Sequence, residues 1–294
     1  MVNASSLRHK ACIMAAPSPL TGTKPIYQYD EALRSHLARV TRVRSFGQLS
    51  AAEQALFKAG EDSSTTAVVE TNETIFYAQG GGQPFDTGMI LGKSRDEREV
   101  RFEVRAVRNA PGGHILHFGV FKGGAGKDFA EGAAVEQCID GERRDSNSKS
   151  HTAGHIIGLA VRRLAEKTPE LDVSELKAQH YPGASFVEFK GIIDGKFKGE
   201  IQQQATKYVE DALPTKLYWF KPDELAANGV IRADGMPIVA GQDGFVRVVD
   251  IVGAGAYPCG GTHVPATSFV GQITVKTIKR QKGVSKISYS VNAT

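Results

Sequence analysis

Two short stretches, far apart in the chain, limit what it can fold into. "HTAGH" runs from His151 to His155, and "CGGTH" from Cys259 to His263. In each, two metal-capable side chains stand four residues apart. On a helix that spacing stacks His151 and His155 on one face, about one turn apart. In the second stretch the glycines let the backbone bend sharply, so Cys259 and His263 can converge on one point. One thiol and three imidazoles make a tetrahedral donor set suited to Zn2+. A fold that uses all four must bring a helix and a distant glycine loop together. Each pair also has an ordinary explanation. Histidines four apart on a helix are commonly incidental, and the glycines of "AYPCGGTHVP" suit a loop that cradles phosphate. A zinc-protease reading fails directly: that motif needs Glu immediately after the first His, and Thr152 stands there.

The remaining sequence sets the frame for those four residues. At 294 residues, 41% hydrophobic and 23% charged, the chain has room for two ordinary globular domains. It holds no apolar run near the roughly 18 residues that span a bilayer, so it reads as soluble, with no membrane partner. The net charge of +4 permits a polyanionic partner without demanding one. Three scattered cysteines, Cys12, Cys138 and Cys259, are too few for a disulfide framework and fit a reducing, cytoplasmic setting. The acid-free N-terminus reads as a flexible tail over residues 1–25; a mitochondrial transit peptide is the minor alternative.

Residues 26–140 carry short strand signals at close spacing: "TAVVE", "TIFYAQ", "EVRFEVRAVRN", "GGHILHFGVF" and "AAVEQCID". A small β-barrel removes the edges of such a set, and alternation puts Phe102, Val104 and Val107 on core faces. "QGGGQPFDTG", from Gln79 to Gly88, lacks the Gly-Lys-Ser/Thr ending of a phosphate loop and joins two strand signals. It reads as a tight glycine turn, or as a surface that lets an RNA backbone approach. Residues 141–294 mix helix and strand. "SKSHTAGHIIGLAVRRLAEK" is the strongest helix, with Ser148 or Ser150 as its cap and "TPE" as its stop. "GEIQQQATKYVEDAL" is a second helix, and "SFVEFKGII", "TKLYWF", "FVRVVDI" and a C-terminal pair around "QKG" supply strands. The expected fold is α+β: a small N-terminal barrel, then a domain with two helices beside an antiparallel sheet. Basic residues gather at Arg34, Arg39, Arg42 and Arg44, and again at Lys276, Lys279, Arg280, Lys282 and Lys286. Either group suits phosphates or simply a solvated face.

"HTAGH" together with "CGGTH" resembles the editing domain of alanyl-tRNA synthetases and its free-standing AlaX relatives. "YAQGGGQPFDTG" resembles the glycine motif of the barrel domain that precedes it in medium-length members. The resemblance covers about residues 25–294. It implies a zinc-containing editing domain over residues 141–294, with zinc at His151, His155, Cys259 and His263. It implies hydrolysis in trans of mischarged tRNA(Ala), chiefly Ser-tRNA(Ala), with Gly-tRNA(Ala) as a second substrate. No DNA partner is expected, and no oligomeric state is implied. Family members carry a polar side chain for the substrate between the zinc-bearing helix and the next strand. Here that region reads "LKAQHYPGASF", which nominates Gln179 and His180 as catalytic-site residues but lacks the family's hydroxyl residue. Gly80, Gly81, Gly82, Gln83 and Thr262 are the candidates for contact with substrate or tRNA. The alternative is a zinc-stabilised tRNA-binding module, or a synthetase partner, without turnover.

Overall fold

The computed structural model describes residues 22–57, 65–94, 96–123, 128–235, 237–241 and 243–292. Most of the expected tail lies outside them. Its last residues do not fit that expectation: Thr23 donates its backbone N–H to Gly113 at 3.0 Å, and Lys24–Pro25 pairs in parallel with Glu73–Thr74. The chain divides into two units, one holding residues 22–80 and 84–144, the other 81–83 and 145–292.

The first unit is a closed barrel of six strands: β1 (Ser35–Ser45), β2 (Ala67–Thr71), β3 (Gly88–Lys93), β4 (Glu99–Ala110), β5 (His114–Lys122) and β6 (Ala134–Ile139). They close in the order β1-β2-β5-β4-β3-β6, every pair antiparallel. Alternation along β4 buries Val100, Phe102 and Val104. A register shift between Val104 and Ala106 resets the pleat, so that Val107 is buried as well. A bulge does this by adding one unpaired residue to one strand.

"TIFYAQ" is not the strand its composition suggests. Only Thr74 lies in a strand, yet Ile75, Phe76, Tyr77 and Ala78 are all buried. Side chains satisfy these buried amides in place of a ladder. Ile75 N–H donates to Gln137 Oε1 at 2.9 Å, and Tyr77 N–H to Asp86 Oδ2 at 2.8 Å. Buried backbone donors need some such partner. Asp86 also receives Arg144 Nε at 3.0 Å, both side chains being fully buried.

The long helix α1 spans Gly141–Lys167 and begins well before the expected cap. Asp140 precedes it and accepts Arg143 N–H on its side chain at 3.0 Å, as an N-cap does. Ser148 and Ser150 are buried inside the helix, so neither caps it. The second unit continues with β7 (Ser174–Gln179), β8 (Ser185–Lys190), α2 (Lys198–Glu210), β9 (Thr215–Phe220), β10 (Val246–Ile251), β11 (Gly255–Pro258), β12 (Gln272–Gln281) and β13 (Val284–Asn292). Between β9 and β10, Pro222–Glu224 forms a short 3-10 turn. The strands form two antiparallel sheets, β12-β13-β8-β7 and β9-β10-β11. Ile156, Ile157, Ala160 and Leu164 of α1 share one core with Val187 and Phe189 of β8, Ile201 of α2, and Ile287 and Tyr289 of β13. That core fixes the face of α1 that bears the histidines. Barrel plus α+β is the architecture observed.

Candidate metal centre

The helix face and the glycine loop do come together. One ligand atom from each of His151, His155, Cys259 and His263 lies within 4.8 Å of the others. Cys259 Sγ stands 3.4 Å from His151 Nε2 and 3.3 Å from His263 Nε2. Bonds of about 2.0–2.3 Å to a tetrahedral zinc put ligand atoms about 3.3–3.7 Å apart, so these two edges already match. His155 Nδ1 is buried without a hydrogen-bond partner among the described residues, a costly state for a ring nitrogen. Burial is the main force on all three imidazoles. It lowers His155 to about 3 and holds His151 and His263 well below the ordinary histidine range, with neighbouring cationic groups adding to the effect. Neutral imidazoles keep the lone pair that a metal needs. The donor chemistry and spacing therefore fit a zinc ion.

A layer of hydrogen bonds aims these ligands. Gln83 Oε1 lies 2.7 Å from His151 Nδ1 and accepts Thr262 N–H at 3.0 Å. Gln83 Nε2 donates to Thr262 Oγ1 at 2.9 Å, and that oxygen lies 2.7 Å from Ser148 Oγ. One fully buried glutamine thus braces both the helix ligand and the loop ligands, leaving His151 Nε2 for the metal. Thr152 Oγ1 donates to the Ser148 carbonyl, accepts Val264 N–H and stands 3.1 Å from His263 Nδ1. Such outer partners fix tautomer and ring angle in metal sites. Arg247 Nη1 donates to the carbonyls of Cys259 at 2.6 Å and Gly261 at 2.9 Å, which holds the loop in its bend.

The chain also matches known proteins. Residues 246–288 match the family model described as threonyl and alanyl tRNA synthetase second additional domain. The alanyl-tRNA editing protein AlaX-L of Pyrococcus horikoshii is 29% identical over 225 residues, 76% of this chain and 50% of that protein. The chain is similar to the alanyl-tRNA editing proteins. The alanine–tRNA ligase of Pyrococcus furiosus is 30% identical over 223 residues, 76% of this chain and 23% of the ligase. That of Methanosphaera stadtmanae is 27% identical over 229 residues, covering 75% and 24%. The chain thus spans about a quarter of these ligases and half of the editing protein.

Against this family background, the remaining candidates separate. His180 is buried and stacks on His151, ring centroids 4.2 Å apart and planes 19° apart. Its backbone N–H donates to the Gly82 carbonyl at 2.8 Å. Its Nδ1 lies 2.8 Å from Tyr289 Oη, and that hydroxyl donates to the Ser150 carbonyl. The hydroxyl proton being used, His180 carries its own proton on Nδ1 and keeps a lone pair on Nε2. Gln179 is not brought to the cluster: its amide donates to the Ala184 carbonyl at 2.9 Å. Gly80 groups with the barrel unit, whereas Gly81 and Gly82 group with the cluster, both at positive φ. Gln83 and Thr262 are fully buried and engaged with each other. Of the first basic group, Arg44 is held by Glu53 and Glu70, and Arg34 and Arg39 donate to backbone carbonyls. In the second, Arg280 pairs with Asp194 and Lys286 lies over Phe186.

Sequence reasoning missed Arg247, Tyr289 and Ser148. Arg247 had a signal, a cation inside the apolar run "FVRVVDI". Tyr289 and Ser148 had none, because their partners lie far away in sequence.

Proposed function

We propose that the chain is an aminoacyl-tRNA deacylase that removes the wrong amino acid from mischarged tRNA(Ala), acting in trans. The observation that carries this is the convergence of His151, His155, Cys259 and His263 in a chain similar to an alanyl-tRNA editing protein. The substrates are Ser-tRNA(Ala) first and Gly-tRNA(Ala) second. A site that must admit alanine cannot exclude smaller glycine by size and rejects an added hydroxyl only modestly. A second site then has to destroy the wrong ester, in the compartment where translation runs.

His151, His155, Cys259 and His263 would hold the zinc ion, which would supply Lewis-acid chemistry at the ester once one of its four positions is open. The chain's own groups do the positioning. Gln83 and Thr152 keep His151 and His263 in the tautomers that face the metal. His180 offers Nε2 beside His151. Burial lowers its pKa to about 3, too weak a base to hold a proton at neutral pH, so His180 orients water by accepting its hydrogen bond.

The test is incubation of the zinc-loaded chain with Ser-tRNA(Ala) and Ala-tRNA(Ala). Selective loss of the seryl ester is expected, with Cys259→Ala losing zinc and hydrolysis together. Binding without hydrolysis of either ester refutes the proposal in favour of a binding module. Full hydrolysis by a zinc-free variant refutes the role of the metal.

A further inference from the structure

A cavity of about 250 Å3 opens in the second unit on the same helix that carries the histidines. Gly158, Arg162, Glu175, Phe189, Ile231 and Arg232 are among the residues that line it. Tyr257 connects one of its lining residues, Glu175, to the metal centre. The Tyr257 ring packs 4.7 Å from that of His155 and donates its hydroxyl to Glu175 Oε1 at 2.6 Å. Gly158 makes this approach possible: a Cβ there would sit 2.5 Å from Glu175 Oε1 and 2.9 Å from the Tyr257 hydroxyl.

The lining has three chemistries. Arg232 has no hydrogen-bond or ion-pair partner among the described residues. Arg162 pairs loosely with Glu166 at 3.6 Å on the exposed side, which holds it weakly, and its charge also acts on Glu175. Two arginine forks on one cavity call for an anion with several oxygens, phosphate above all. Glu175 is desolvated, which raises its pKa to about 7, and a hydroxyl group satisfies such a carboxyl without adding charge. Phe189 and Ile231 give apolar walls suited to a flat ring. The volume falls below the roughly 300 Å3 at which drug-sized ligand pockets begin, so it seats one unit and not a helical stem.

We propose that this cavity seats a single ribonucleotide unit of the RNA's acceptor end, its phosphate on Arg162 and Arg232 and a ribose hydroxyl on Glu175. The inference rests on the deacylase reading, since it supplies the nucleotide next to the ester being cut.

The test compares 5′-AMP, adenosine, inorganic phosphate and free serine as ligands of the unaltered chain by calorimetry. AMP is expected to bind at least tenfold more tightly than the other three. Arg162→Ala/Arg232→Ala is expected to abolish that advantage. It is also expected to raise KM for seryl-tRNA about tenfold with little change in kcat, and to flatten the salt dependence of KM. Equal binding of adenosine and AMP, or tighter binding of phosphate or serine alone, overturns the proposal. So does an unchanged KM and salt slope in a folded double variant. Should that variant not fold, the ligand comparison on the unaltered chain still decides. Absence of seryl-tRNA hydrolysis by the unaltered chain would sink the deacylase reading instead, while AMP binding is read separately.

Discussion

Gly261→Ala is the smallest change that tests the metal centre. An alanine methyl at position 261 would fall inside the van der Waals envelope of His151 Cε1 and Nδ1, and 2.9 Å from Gln83 Oε1. Non-bonded carbons rest about 3.5–4.0 Å apart, so the ring must give way by more than about 1 Å. Metal ligands tolerate only about 0.2 Å. The His151–Gln83 hydrogen bond breaks in the same movement. Disturbing an outer partner alone typically costs about 10–100-fold in metal affinity, or about 1.4–2.7 kcal/mol, and here the ligand itself is displaced. The expectation is at least a hundredfold loss of zinc affinity with the fold retained. Competition against a chelator of known affinity measures it, and circular dichroism checks the fold. Gly199→Ala is the control, because nothing stands within 4 Å of a Cβ there. It lies inside α2, so it should keep full zinc affinity and add about 0.5–1 kcal/mol of stability. A Gly261→Ala protein that binds one zinc as tightly as the parent would refute the geometry argued for this loop.

Three further outcomes are expected. Gln83→Leu leaves His151 Nδ1–H and Thr262 N–H without their acceptor; zinc affinity should fall about 10–100-fold and urea unfolding should show a loss of about 1–3 kcal/mol. Asp86→Asn strands the buried Arg144 guanidinium, and thermal unfolding should report a loss of about 3–5 kcal/mol. Glu175→Gln should change the pH dependence of stability. The carboxyl's pKa is about 7 when folded against about 4.3 unfolded, so its contribution is fully present below pH ~4.3. It is lost as pH rises to about 7, for a total of about 4 kcal/mol. Denaturant titrations between pH 4 and 8 should show this fall in the parent and not in the variant. Parallel curves would contradict the burial argument.

How much of this was legible beforehand follows from how local each cause is. The histidine face of α1 was readable because its spacing is intrahelical, and the "CGGTH" bend because glycine announces it. The start of α1 was not. "GERRDSN" looks like a polar loop, and only its partner Asp86 explains why Arg144 is buried. "TIFYAQ" looked like a strand because apolar β-formers commonly pair in ladders. Its amides instead meet Gln137 and Asp86, long-range partners with no local trace. Gln83 was singled out for contact with substrate. Its position in a glycine motif says nothing of a carbonyl oxygen shared between His151 and Thr262.

That shared oxygen has a consequence for how the molecule can be taken apart. All four candidate ligands lie between His151 and His263, so a fragment cut at the start of α1 would hold every donor. It would lack residues 81–83, which fold with that unit though they are encoded within the barrel's stretch of sequence. Such a fragment would leave the His151 ring free to swing and its protonated nitrogen unassigned. The gene's order and the metal centre's order differ here, and a transplant of this centre into another scaffold has to carry three residues from the wrong side of the cut.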